Sequence, residues 1–181
     1  MLIDPAIPES RNLIFLVDGE HVVLTVEMGE QPMWLAPATL AALRQPGFLY
    51  TTLYRARRLH AETEDGVIKQ AGLLADLRRH GRRAIFDLDV GGCTAEDMPY
   101  LTGAAVVIFN QVGFPGFAVD VVDVTGAGDT FGGTLTWCLA QGQPFVEALA
   151  FSVAAASRSV TIHGPRGGKA SADDIRRWRD G

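Results

Sequence analysis

The stretch "VVDVTGAGDTFGGT", Val121 to Thr134, decides how the chain is read. Valines lead into a turn of small residues, an aspartate follows, and more glycines come after it. Gly126 and Gly128 remove side chains from the turn, so its backbone can approach a ligand closely. The first amides of the helix beyond it have no intrahelical acceptor, and the helix dipole adds partial positive charge at the same place. Together these make an anion hole suited to phosphate. Asp129 beside it stands where a general base would take the proton of an attacking hydroxyl. Phosphoryl transfer asks the protein mainly for positioning, charge stabilisation and orientation of the nucleophile, and this loop supplies the last two. The plainer alternative is an aspartate that caps a helix behind a glycine turn.

Two other phosphate-binding loops are excluded. A Walker A loop needs Lys-Ser or Lys-Thr after its last glycine, and no lysine occurs between Lys69 and Lys169. A dinucleotide fingerprint needs a third glycine where Phe131 stands, and an acid closing a strand about twenty residues later, where this chain reads as helix.

Outward from the loop, apolar strands alternate with helices. "RAIFDLDV" and "AAVVIFN" are apolar strands, and "GFAVDVVDV" is a further strand leading into the loop. A helix is predicted from Asp129 to Ala140, another follows Pro144, and a last one has Ser171 as N-cap with Asp174 three positions on. From Ala61 to His80, Val67, Ile68, Ala71, Leu74 and Leu77 recur at helical spacing, which predicts one amphipathic helix capped at Gly81. "APATLAAL" reads as a short helix and "GFLYTTLY" as a strand. At the N-terminus, Asp18-Gly19 joins two strands, Asn12 to Val17 and His21 to Glu27, into a hairpin. The expectation is one α/β domain over residues 1–181, with a hairpin region over 1–35 and a core over 36–181 whose mostly parallel sheet is covered on both sides.

With 181 residues, 48% of them hydrophobic, the chain can bury a real core. A net charge of −5 argues against nucleic acid or an anionic membrane as its main partner, because phosphate neutralisation needs clustered positive charge. The basic runs Arg55 to Arg58 and Arg78 to Arg83 read as solvated faces and helix ends. Cys93 and Cys138 lack metal-ligand spacing, as do His21, His60, His80 and His163. Free thiols suit a reducing compartment, and "MLIDPAIPESRN" has no signal-peptide pattern, so a cytoplasmic protein is expected, without membrane contact. Trp34, Trp137 and Trp178 read as packing residues.

The run Asp123 to Asp129 closely resembles the C-terminal signature of the PfkB carbohydrate kinases, the ribokinase-like family. The likeness continues through "FSVAAASRSVTIHGPRGG" and, more weakly, back through "FDLDV" and "AAVVIFNQ"; the hairpin resembles strands of the family's lid. The resemblance implies a three-layer α/β/α fold and ATP-dependent phosphoryl transfer to a hydroxyl of a sugar or sugar-like substrate. It implies that Asp129 is the base, and that the backbone of Gly126, Ala127 and Gly128 stabilises the transferring phosphoryl group. It puts Val153 and Ala156 near the adenine, and gives Asp123, with carbonyls around Ser159 and Gly164, to a monovalent cation such as K+. Mg2+ would arrive with the nucleotide.

Against the family's pattern this chain is shortened. The glycine-asparagine sugar-binding segment of the N-terminal half has no counterpart, and Asn110 is followed by Gln111, Val112 and Gly113 where the family has Asn-x-x-Glu. A helix and a glycine-containing strand before "GFAVDVVDV" are also missing, and Thr134 stands where the signature has glycine or alanine. A second expectation follows: a catalytically impaired family remnant that only binds nucleotide or phosphate, or serves a regulatory role. The sheet edge left by the missing parts also invites a second copy and a homodimer.

Overall fold

The computed structural model describes residues 11–17, 20–26, 31–88, 93–109 and 119–180. In chain order its elements are β1 (Arg11–Val17), β2 (Glu20–Val26), β3 (Met33–Leu35), α1 (Pro37–Leu43), β4 (Gly47–Thr52), α2 (Leu53–Ala56), β5 (Leu59–Thr63), β6 (Gly66–Lys69), α3 (Gln70–Arg79), β7 (Arg82–Asp87), α4 (Met98–Leu101), β8 (Val106–Ile108), α5 (Ala127–Ala140), α6 (Phe145–Ser159) and α7 (Ala172–Asp180).

Strand register builds the central sandwich. β4, β7 and β8 run parallel, with Tyr50 opposite Ile85, Thr52 opposite Asp87, and Asp87 opposite Ile108. Successive side chains of a strand leave opposite faces of a sheet. Leu49, Ala84, Phe86 and Leu88 therefore share one face, and they join Leu73, Leu74 and Leu77 of α3 in a first core. Val106 and Ile108 lie on the other face with Tyr50 and Asp87, and pack against Leu135, Cys138, Phe151 and Ala155 of α5 and α6 in a second core. The sheet is covered on both sides, as expected of parallel strands. Each fully buried leucine or phenylalanine contributes about 1.5–3 kcal/mol.

The hairpin strands are present. Leu13 opposes Leu24 and Phe15 opposes Val22, and all four are exposed on one face. The Asp18-Gly19 turn predicted between them lies outside the described residues. β3, β5 and β6 form a second small sheet, β3 parallel and β6 antiparallel to β5, so this sheet joins residues on both sides of the boundary expected at 35/36.

The single helix expected from Ala61 to His80 is corrected. Residues 61–69 are strand and turn, and the helix begins only at Gln70. Gly66 adopts φ +114°, a value other residues rarely reach, and closes a tight turn in which Ala61 comes opposite Ile68. Gln70 itself has φ +53°, which breaks the chain direction between β6 and α3. Val67, placed on the apolar face of the expected helix, is exposed, while Leu59 and Ala61 are buried. The strand expected through "GFAVDVVDV" is also corrected over its described part. Residues 119–124 join no sheet, and Val121, Val122 and Val124 are exposed.

What holds that segment is a pair of loops tied together. The amides of Val122 and Asp123 both donate to the Val160 carbonyl, at 2.8 and 3.1 Å. The Asp123 carboxylate accepts from the Thr125 amide at 2.9 Å and from the Gly164 amide at 2.8 Å. Interaction with Thr125, side chain first and then backbone, and with the Gly164 amide lowers the Asp123 carboxyl from 3.8 to about 2. α7 carries the predicted cap: the Asp174 amide donates to Ser171 Oγ at 3.2 Å, and the Ser171 amide donates to Asp174 Oδ2 at 3.0 Å. Elsewhere burial opposes ionisation of Asp76, but Arg44, His80 and Arg79 together outweigh it and lower its pKa, clasping α1 to α3.

Two outcomes are expected from this packing. Because the folded-state pKa of Asp123 is depressed, its contribution is present above the ordinary value of 3.8 and is lost as pH falls through about 2. Asp123→Asn should therefore melt below the parent at pH 7, with the gap closing between pH 4 and pH 2, as followed by circular dichroism. The two glycines in the middle of α5 should respond with opposite signs. A Cβ on Gly132 would sit 2.4–2.6 Å from the Tyr50 ring, so Gly132→Ala should destabilise by about 1–3 kcal/mol. Gly133 has open space around it, so Gly133→Ala should stabilise by about 0.5–1 kcal/mol in urea unfolding.

Candidate functional site

Gly126 is the N-cap of α5 and adopts φ +83°, which only glycine takes without strain. A side chain there would also press on Pro165, whose carbonyl oxygen would lie 3.2 Å from a Cβ. The glycine thus lets the two loops meet. Beyond it the amide of Ala127 is taken by the Val124 carbonyl at 3.2 Å, while Thr130 closes the first helical bond onto Gly126. Among the described residues the amides of Gly126, Gly128 and Asp129 have no acceptor. The open donors are therefore these three, and not the amide of Ala127 that the sequence also suggested. A Cβ at Gly128 would meet nothing within 4 Å, so there is free space beside this residue.

That space is a cavity of about 450 Å³ between β8 and the helices α5 and α6. Its walls follow helical spacing. Ala127, Gly128, Phe131 and Leu135 come from one side of α5, and Phe145, Leu149, Val153, Ala156 and Ser157 from one side of α6. β8 and the residue after it contribute Val106 to Phe109, and the end of β7 contributes Asp87. The volume falls within the roughly 300–1,000 Å³ of small-molecule sites.

The structure brings Ala127, Gly128, Val153 and Ala156 around one cavity, while Gly126, the third residue assigned to phosphate by the resemblance, is not on its wall. Asp129 is exposed on the first turn of α5, one residue beyond Gly128, and is not itself on the cavity wall. Asp123 and Gly164 meet through their hydrogen bond. Ser159 does not join them by any such bond: its hydroxyl donates back to the Ala156 carbonyl at 2.7 Å, and a Cβ on Gly168 would run into its backbone. Asn110 and Gln111 lie outside the described residues.

Asp87 is the residue that sequence reasoning passed over. It sits at the carboxyl end of a parallel strand, where open α/β sheets place their ligands, and that position was the signal available. Its Oδ2 accepts from Tyr50 Oη at 2.7 Å. Among the described residues no group of three or more His, Cys, Asp or Glu could hold a metal ion, and no helix is long and apolar enough to cross a membrane.

Comparison with known proteins agrees with this geometry. Residues 101–171 match the pfkB family carbohydrate kinase family. Over 65 residues the chain is 42% identical to a ribokinase of Bacillus subtilis, a stretch that spans 36% of this chain and 22% of that protein. Ribokinase of Arabidopsis thaliana, solved with ribose and ATP, superposes with a TM-score of 0.66 at 17% identity, over 94% of this chain and 69% of that one. Ribokinase of Thermotoga maritima does so at 0.62 and 18% identity, over 96% and 70%. Residues 101–171 thus resemble the pfkB carbohydrate kinases, the chain spans about a fifth of the length of the ribokinase it matches in sequence, and its fold is ribokinase-like.

Proposed function

We propose that the site binds ATP and transfers its terminal phosphoryl group to a hydroxyl of a sugar or sugar-like substrate. One observation supports this reading: Gly128, whose amide has no acceptor among the described residues, lines the same cavity as Val153 and Ala156, and the open amides of Gly126 and Asp129 stand within two residues of it in the chain. Amides aimed at one spot from a helix N-terminus bind phosphate oxygens, and an apolar cleft beside them receives a nucleobase.

In this reading the base lies along the α6 stripe of Leu149, Val153 and Ala156, and the phosphates extend toward the head of α5. Asp129 accepts the proton of the acceptor hydroxyl as its oxygen bonds to the terminal phosphorus. The bond from that phosphorus to the bridging oxygen breaks, and ADP leaves. The three amides meet the charge that gathers on the equatorial oxygens, which is where fixed dipoles lower a barrier most.

The donors present suit magnesium carried in by the nucleotide. A small hard cation keeps several waters and takes one or two carboxylates plus phosphate oxygens, and Asp87 offers one such carboxylate on the cavity wall. Bound there, the ion would neutralise phosphate charge. A monovalent cation, K+ by the resemblance, is proposed for the junction of Asp123 and Gly164, where the carboxylate is ionised at neutral pH. A cytoplasmic location accords with the free thiols of Cys93 and Cys138. A homodimer through the open edge of β8 or the hairpin face is proposed as well, and sedimentation would read it.

One observation favours a second reading, a family remnant that binds nucleotide without turnover. The cavity wall is apolar apart from Asp87 and Ser157, and offers little for the hydroxyls of a sugar. Titration calorimetry with Mg-ATP, paired with ADP release over a panel of pentoses and hexoses, separates the two. Binding with turnover supports the kinase, binding without turnover supports the remnant, and no binding removes both. For an active kinase, Asp129→Asn should lower kcat by about 10²–10⁴-fold, as loss of a general base does, while the calorimetric Kd for Mg-ATP stays within about threefold.

A further inference from the structure

Tyr50 occupies a place that neither the strand nor the core requires of a tyrosine. It stands opposite Ile85 on β7, and its side chain leans two residues along that strand to reach Asp87 on the same face. Its ring lies against the α carbon of Gly132, so closely that a Cβ there would fall 2.4 Å from Cε2 and 2.5 Å from Oη. Gly132 follows Gly128 by four residues, about 6 Å along the helix at 1.5 Å per residue. One phenol thus touches the acid on the cavity wall and the helix whose first turn carries the open amides.

We propose that Tyr50 is a positioning residue that aims the Asp87 carboxylate at the metal ion of a bound nucleotide and fixes its distance from the head of α5. The argument rests on the nucleotide reading given above. A carboxylate at a strand end turns about its last torsion, which is broad, unless a neighbour holds it. A phenol can do so by donating a hydrogen bond while bringing no positive charge, so the carboxylate keeps its attraction for a cation. The glycine at position 132 then has a reason in the site: a larger residue would push the ring away from its place and release the acid. Hydrogen-bond partners that orient a metal's ligands commonly change metal affinity by about 10–100-fold when removed.

The experiment uses Mn2+ as the probe, with ADP, and reads free Mn2+ by electron paramagnetic resonance, alongside calorimetry with ADP alone and a thermal melt of each variant. Tyr50→Phe keeps the ring against Gly132 and removes only the hydroxyl. It should weaken Mn2+ capture by the ADP complex about tenfold while leaving metal-free ADP affinity nearly unchanged. Asp87→Asn should weaken capture at least as much. Capture by Tyr50→Phe equal to the parent's would overturn the proposal, as would Asp87→Asn capturing Mn2+ normally. A parallel loss of metal-free ADP affinity in Tyr50→Phe would also overturn it, assigning the hydroxyl to packing alone. A parent chain that binds no ADP with or without Mn2+ would instead bring down the nucleotide reading itself, and this role with it.

Discussion

The Asp123 carboxylate holds two loops in contact, accepting from the amide of Thr125 on one side and of Gly164 on the other. Residues 119–124 pair with none of the described strands, so the Val160 carbonyl and this carboxylate do for them what a sheet neighbour would do. With the loops tied, Gly126 turns into α5 at positive φ against Pro165. Moving that contact moves the head of α5, because together with the two hydrogen bonds to the Val160 carbonyl it ties the chain before α5 to the chain after α6.

From that anchor the cavity follows by helix geometry. α5 and α6 pack side by side and each turns one stripe toward β8 and another into the core with Cys138, Ala148 and Ala155. Burial raises the Cys138 thiol pKa and keeps it in the neutral form, consistent with a packing role for that residue. The small residues of α6 let the helices approach closely, which leaves the larger Phe131, Phe145 and Leu149 to shape the wall. Polar groups reach the cavity from its ends: the amides at the head of α5 and Asp87 at the end of β7.

Much of the site was legible because it is local. A glycine turn before a helix states its own φ requirement, and residues three or four apart on a helix share a face whatever the rest of the chain does. Gly128, Val153 and Ala156, by contrast, could be brought to one place only through the family likeness. The errors came where local pattern is ambiguous. Val67 and Ile68 suit a helical face, yet a short apolar run cannot be told from strand by periodicity alone, and pairing of β6 with β5 decided the matter. The valines before Asp123 read as a strand by composition, but a strand needs a neighbour, and none of the described strands pairs with them.

The sequence by itself determined the glycine turn, the two helices that follow it, the capping of the last helix and the parallel character of the central strands, since each rests on backbone preferences and periodicities within a few residues. Only the tertiary structure decided that Asp87 lines the cavity, that Tyr50 donates to it, that the Ala127 amide is engaged while that of Asp129 is open, and that the Ser159 hydroxyl turns back onto its own helix. These depend on strand register and on contacts between residues tens of positions apart, where a shift of one residue sends a side chain to the opposite face of the sheet.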